Sequence, residues 1–432
     1  PALDRMARDA IGPGDPWPEE ARHALVRLLG AGPAAVGVIE ALDQRGLMAR
    51  VLPEWEAVRC LPQRNAYHRF TVDRHLCEAA AGAAHLAGRV RRPDLLLIGA
   101  FLHDIGKGFP GDHTDTGVEV VGRIAPRLGF VPDDVDVLVD MVRYHLLLPD
   151  VATRRDLADE ATVATVARQV GDLDRLQLLA ALTEADSVAT GPAAWGPWKA
   201  SLVRELVDRT APVLAGHVVR STAEPLPAGT DELITKLGQG EELVVDVDGP
   251  VLNLVALDRP GLFSKVAGTL ALHGLDVISA RAWSPEEGIA AERFRVQSLF
   301  GTPDWVALET DLRRVLAGRL SLEARLADKA RDYAAAPRPP AAAPARVEVT
   351  IDNDASEVAT VIEVRAPDRI GTLYRITRAL AELDLDVRLA KVSTLGHEVV
   401  DAFYVVDAGG SKLTDAEQLD EVSRAVTAHL SA

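Results

Sequence analysis

Between Pro18 and Leu214, apolar residues recur at the i, i+3, i+4 spacing of amphipathic helices. The stripes run through "VDRHLCEAAAGAAHLAG", "PDDVDVLVDMVRYHLLL" and "DRLQLLAALTEADSVAT". Asp73, Asp133 and Asp172 sit near helix starts, and Gly and Pro punctuate the joins. The pattern predicts an all-α domain over residues 1–215. After Val218 the period changes. "EELVVDVDGPVLNLVALDRPG" and "AERFRVQSLF" read as strands, with a helical "LFSKVAGTLALHG" between them. "AAAPRPPAAAPAR", Ala334 to Arg346, reads as an extended, semi-rigid Pro/Ala linker, and strand-like runs resume beyond it.

The segments flanking that linker repeat one another. "VLNLVALDRPGLFSKVAGTLALHGLDVISARAWS" lies without a gap over "VIEVRAPDRIGTLYRITRALAELDLDVRLAKVST", so that Val251 meets Val361 and Gly261 meets Gly371. A tandem pair of α+β domains is expected, at 241–330 and 346–432, with the linker at 331–345.

Length and balance bound the rest. A chain of 432 residues exceeds one ordinary core, and 48% hydrophobic with 26% charged content is that of globular proteins. The net charge of −17, with no Lys/Arg-rich block, argues against nucleic acid or an anionic membrane as partner. Cys60 and Cys77 are the only cysteines and form no CxxC, which favours a reducing cytoplasm over a disulfide scaffold. No apolar run approaches the roughly 20 residues of a membrane span. The start shows no basic-then-apolar signal pattern and lacks Met, as a cut-down or processed chain would.

The helical half carries polar residues where its stripes point inward. His103 and Asp104 interrupt "LLLIGAFLHDIGKGF"; His75 shares a face with Val72, Leu76 and Ala79. His145 continues Leu138, Met141 and Val142, and Asp186 continues Leu178, Leu179 and Leu182. One inward histidine is usually a hydrogen-bonded core residue. Four helices each supplying a polar group are better explained by shared satisfaction around a metal. Imidazoles with carboxylates suit Mn, Fe, Co or Zn, and such an ion activates water for attack on phosphorus. Metal-dependent phosphoester hydrolysis is the expected chemistry.

The order H…HD…H…H…D, centred on "HDIGKG", resembles the HD superfamily of metal-dependent phosphohydrolases. The resemblance implies one or two divalent ions (Mn, Fe, Co, Zn or Mg) on His75, His103, Asp104 and Asp186. His113 in "GDHTDTG" and His145 in "VRYHLLL" match positions that hold a second metal or contact phosphate. It gives Asp104 and Lys107 catalytic roles, Lys107 by meeting a phosphate oxygen. His68 and Arg69 in "AYHRFTVDRH" read equally as substrate contacts or as the solvated lead-in to a helix. His85 lies off the face of His75 and reads as structural, Cys77 as core.

The two repeats resemble ACT domains, βαββαβ units of the ferredoxin-like class that bind amino acids. Asp258-Arg259-Pro260-Gly261 and Asp368-Arg369-Ile370-Gly371 each close a strand and open a helix. Such a turn offers backbone N–H groups to a carboxylate, and Gly permits close approach. Turn and cap chemistry alone would also explain one copy; two matching copies favour a ligand role. Ile370 stands where the first copy has Pro260, and Tyr374 where it has Ser264, so the two sites are expected to differ.

An HD domain followed by two ACT domains is similar to one family above others, the bifunctional enzymes that add and remove uridylyl groups on the nitrogen-signalling PII protein. The similarity, which includes "VLPEWEAVRCLPQRNAYHRFTVDRH", runs from about Asp43 onward. No Gly-Ser motif with a paired-Asp site precedes the HD region, so the family's N-terminal nucleotidyltransferase domain is expected to be absent. The resemblance implies hydrolysis of the nucleotidyl-tyrosine bond on PII, releasing UMP or AMP, stimulated by glutamine at the ACT domains, with the linker as pivot. It leaves ACT-mediated homo-oligomers open. The alternatives are an alarmone hydrolase, another nucleotide phosphohydrolase, or an inert amino-acid sensor.

Overall fold

The computed structural model describes residues 2–63, 68–192, 194–217, 226–298, 301–334, 346–395 and 398–431. It divides into two units, residues 1–153 with 163–219, and residues 154–162 with 220–432. Residues 335–345 of the expected linker lie outside the described residues.

The first unit is helical. Helices α1 to α5 lie between Ala2 and Val58. They are followed by α6 (Val72–Leu86), α7 (Pro93–Leu102), α8 (His113–Arg127), α9 (Pro132–Arg143), α10 (Leu147–Arg154), α11 (Glu160–Val170), α12 (Leu173–Thr190) and α13 (Pro197–Leu214). Helix α7 starts with Pro at its first turn and buries every residue from Leu95 to Leu102. A helix apolar on all sides belongs in the middle of a bundle, and α6, α9 and α12 pack around it. Trp55 stacks on Phe101 with ring centroids 5.1 Å apart. Helices α6 and α12 pack together with Gly82 facing Ala185, where a Cβ would make an ordinary contact at 3.5 Å. That contact draws His75, two turns earlier on α6, toward Asp186, the next residue on α12.

Among the described residues the second unit holds α14 (Thr230–Leu237) and a nine-stranded antiparallel sheet with α15 to α19. The first repeat contributes β1 (Leu243–Asp248), β2 (Val251–Leu257), α15 (Leu262–Leu272), β3 (Leu275–Glu286), β4 (Ile289–Ser298) and α16 (Trp305–Leu316). Helix α17 (Leu322–Ala334) follows. The second contributes β5 (Glu348–Asp352), β6 (Thr360–Pro367), α18 (Thr372–Glu382), β7 (Asp386–Lys391), β8 (Thr394–Leu395), β9 (Glu398–Val406) and α19 (Ala416–Ser431). The strand order is β1-β2-β4-β3-β7-β9-β6-β5, with β8 on β9. The copies join where β3 pairs with β7, Ala280 opposite Ala390. In each copy the strand beside the repeat's first strand comes from the residues before it, β1 or β5, which form hairpins with β2 and β6.

Alternation in the strands sets two faces. Leu254, Phe294, Val364 and Phe403 pack under the helices in one core. On the other face α14 covers Val244, Val255 and Ala291. Residues 154–162 lie against the far side of the second copy. There Asp159 accepts from the Ser356 hydroxyl and the Glu357 amide, and Arg155 pairs with Glu363. Asp156 accepts from Arg281 at 2.8 Å, and its amide donates to the Tyr404 hydroxyl at 2.7 Å. This segment belongs to the second unit, although the chain enters it from α10 and leaves it through α11. Among the described residues no single helix is long and apolar enough to cross a membrane.

Candidate metal centre

Six elements deliver one polar cluster to the middle of the first unit. His75 lies in the first turn of α6, and His103 caps α7. Asp104 opens the short 3-10 turn Ile105–Gly108. His145 follows α9, Asp186 sits on α12, and His113 begins α8 behind its N-cap Asp112. The "HDIGKG" turn presses onto α8, and a Cβ on Gly106 would lie 1.9 Å from the His113 carbonyl oxygen.

Nε2 of His75 lies 3.3 Å from Nε2 of His103 and 3.0 Å from Oδ1 of Asp186. Nε2 of His103 lies 3.4 Å from that same oxygen. Oδ2 of Asp104 is 3.6 Å and 3.5 Å from the two imidazoles. Its other oxygen, Oδ1, faces Nε2 of His145 at 3.7 Å and Nε2 of His113 at 3.9 Å. His75, His103, Asp104 and His145 are all buried. Nδ1 of His103 meets the Ala100 carbonyl at 2.9 Å and Nδ1 of His145 meets the Val142 carbonyl at 2.6 Å. Carbonyls accept only, so each Nδ1 carries the proton and each neutral ring turns its Nε2 lone pair into the cluster.

Facing lone pairs beside carboxylates require a cation between them. Without a metal a proton serves. Burial opposes charging His103, yet the Asp104 and Asp186 carboxylates overcome it and lift that imidazole to about 10. Burial likewise works against ionising both carboxylates, but the His103 charge holds them well below the usual range. His145 is lowered by burial. Oδ1 of Asp104 is buried without a hydrogen-bond partner. Unmatched acceptors and lone pairs converging on one point fit a divalent ion. Among the described residues three ligand groups can hold one, namely His75 with His103 and Asp186, His68 with His75 and Asp104, and Asp104 with His113 and His145. Asp104 is common to the last two.

The remaining expected residues fall differently. Nζ of Lys107 donates to Oδ2 of Asp104 at 2.6 Å and to Oε1 of Gln63 at 2.8 Å, so its charge is already engaged by a candidate ligand. Gln63 carries no pattern in the sequence that marks it. His68 is half-buried against His75, ring centroids 5.5 Å apart, and burial followed by the nearby Lys107 charge lowers it to about 4. Arg69 is exposed and does not join the cluster. His85 bonds the Ala81 carbonyl one turn back, and Cys77 is buried, its thiol pushed up by burial.

The two ACT-like turns differ. Gly261 and Gly371 are the N-caps of α15 and α18 at φ 75° and 81°, a left-handed conformation that glycine adopts without strain. Asp258, Arg259, Gly261 and Ser264 line a cleft closed on its other side by β7 and α18 of the second copy. At the second turn Ile370 and Tyr374 pack with Leu322 and Leu326 of α17. Asp368 and Arg369 are exposed, and the Arg369 amide and carbonyl both meet the Thr372 hydroxyl.

Family models match along the same divisions. The HD domain matches residues 72–179, the ACT domain residues 250–304, and the N-terminal ACT domain of the ACR family residues 355–431. A bifunctional uridylyltransferase/uridylyl-removing enzyme of Streptomyces coelicolor is 44% identical over 96% of this chain and 55% of its own length. Proteins of the same name from Mycobacterium tuberculosis and Gluconobacter oxydans are 42% and 32% identical, over 93% and 90% of this chain and 51% and 48% of theirs. The chain spans about half the length of the curated relatives it matches. One HD and two ACT domains, in a chain matched over nine-tenths of its length, make it similar to the HD-plus-ACT part of the bifunctional uridylyltransferase/uridylyl-removing enzymes.

Proposed function

We propose that the chain hydrolyses the nucleotidyl-tyrosine phosphodiester on the PII signal protein, releasing UMP or AMP, and that glutamine at the ACT domains stimulates it. The observation that carries the hydrolytic part is the buried His/Asp cluster with its inward Nε2 lone pairs, in a chain whose relatives are named for uridylyl removal. His75, His103, Asp104 and Asp186 would hold one divalent ion, and His113 and His145 would share Asp104 with a second. When bound, such an ion supplies a water acidified to near-neutral pKa and a positive charge for the phosphoryl oxygens. The protein keeps both carboxylates ionised, fixes the imidazoles through the Ala100 and Val142 carbonyls, and holds Lys107 against Asp104, from where its ammonium can turn to a phosphate oxygen. His68, at the edge of the cluster, would contact the leaving nucleotide or the tyrosine.

The relatives are named uridylyltransferases as well as uridylyl-removing enzymes, and a parent protein with that further domain would also transfer nucleotidyl groups to PII. The turn at Asp258 to Gly261 and its cleft support an amino-acid effector. The covered second turn gives Asp368, Arg369, Ile370 and Gly371 a lesser part. Purified protein with Mn²⁺ and uridylylated or adenylylated PII should release the mononucleotide, faster with glutamine. Cleavage of free alarmone or nucleotides with PII left untouched would overturn this reading, and metal binding without any hydrolysis would leave an amino-acid sensor.

A further inference from the structure

The cleft between the two ACT copies is floored by an acid that no turn motif predicts. Glu292 on β4 lines it, points to the helix side of the sheet with Phe294 and Val296, and is only 4% exposed. Its Oε2 is buried with no hydrogen-bond partner. A lone buried carboxyl oxygen of this kind is unfavourable unless something occupies it.

The second copy has an acid in the same place. Glu292 is opposite Leu254 on β2, and Asp401 on β9 is opposite Val364 on β6. Leu254 and Val364 are matching residues of the repeat. Asp401 is 1% exposed, and its Oδ1 is engaged by the Ser393 amide at 3.4 Å. Glu292, one methylene longer, reaches the cleft instead. The turn across from it contributes a second carboxylate, Asp258. Burial first, then the Asp258 charge, pushes the Glu292 carboxyl up to about 8. Two acids that repel each other in a confined space select for a cationic ligand group. The first-turn amides of α15 and the side chains of Arg259 and Arg388 line the same cleft and favour an anion. Asp386 of β7 completes the charged lining. The lining thus offers carboxyl groups for a cation and backbone amides with arginines for an anion, the two kinds of partner a zwitterion needs.

We propose that Glu292 recognises the α-ammonium of a free amino acid bound in this cleft, whose carboxylate meets the N-terminus of α15. This rests on reading the cleft as the effector site and adds the residue that selects the ligand's cation. Burial pushes this carboxyl up to about 8 in the empty site, so an ammonium bound beside it favours the ionised form and proton release.

Calorimetry on the whole chain decides it, with L-glutamine and with 4-carbamoylbutanoate, which is glutamine without its ammonium. Wild type should bind the analogue at least tenfold more weakly than glutamine, and heats in buffers of different ionisation enthalpy should show proton release. Glu292→Gln keeps the shape; it should lose at least tenfold in glutamine affinity and all proton release, with analogue affinity unchanged. Equal glutamine binding by Glu292→Gln, or equal binding of both ligands by wild type, would overturn the assignment. If that variant does not fold, the analogue and proton release on wild type decide alone. Should another α-amino acid bind in place of glutamine and depend on Glu292, the glutamine reading falls and the ammonium site stands. If no α-amino acid binds wild type, both fall.

Discussion

Asp104 shows how much one side chain can be asked to do. One of its oxygens faces His75, His103 and Lys107, the other His113 and His145. Asp104→Asn keeps the shape but halves the negative charge that the cluster offers a cation. It should weaken Mn²⁺ binding by roughly 100-fold or more, since even residues behind the ligands change affinity 10–100-fold. Titration of metal into the apo protein checks this, and unchanged affinity would remove Asp104 from the ligand set. Gly106 matters for space. Any Cβ there would overlap the His113 carbonyl, so Gly106→Ala must shift either the "HDIGKG" turn or the start of α8. The expected cost is about 1–3 kcal/mol in stability together with weakened metal binding, read by denaturant melts and the same titration. Of these residues His75, His103, Asp104 and His145 were legible because each breaks an apolar stripe, and His113 only through the resemblance. Gln63 and the Ala100 and Val142 carbonyls were not, because a backbone acceptor or a loop amide leaves no mark in hydrophobic periodicity.

Among the elements, α7 and the paired "DRPG" and "DRIG" turns were readable from spacing alone, being a buried run and an ungapped repeat. The covering of the second turn by α17 was not. It depends on Leu322 and Leu326 meeting Ile370 and Tyr374, contacts between segments some fifty residues apart in the chain. Residues 154–162 were equally hidden, since a polar stretch between two helices reads as an ordinary loop. In the fold Asp159 is 4% exposed and receives both the Ser356 hydroxyl and the Glu357 amide. Asp159→Ala strands those donors, at a local cost of about 1–3 kcal/mol. Hydrogen exchange should then quicken at residues 155–161 and 356–359 while the core of α7 stays protected. Uniform protection in both would show that the segment is held by Arg155 and Asp156 alone.

For the molecule as a whole, acids buried in the sheet tie stability to pH in a way that the net charge of −17 does not reveal. Asp401 sits among Val399, Phe403 and Val405 with its Oδ2 unpartnered, and burial lifts its carboxyl from an ordinary 3.8 to about 8. In the unfolded chain the same group ionises near the ordinary value. Between pH 4 and pH 8, roughly, the folded state therefore holds a proton that the unfolded state has released. Its contribution to stability is fully present at the acid end of that window, falls as pH rises, and levels off above it. The slope for one such group is about 1.4 kcal/mol per pH unit at most. Asp401→Asn keeps an oxygen for the Ser393 amide and removes the titration, so the variant should gain on wild type by a few kcal/mol between pH 5 and pH 8. Because the chain has two units, a single melting temperature would blur the effect. Hydrogen exchange of the β6 and β9 amides, compared at each pH after correction for the intrinsic rate, isolates it. Parallel profiles for wild type and variant would mean that Asp401 is ionised in the fold and has found a cation.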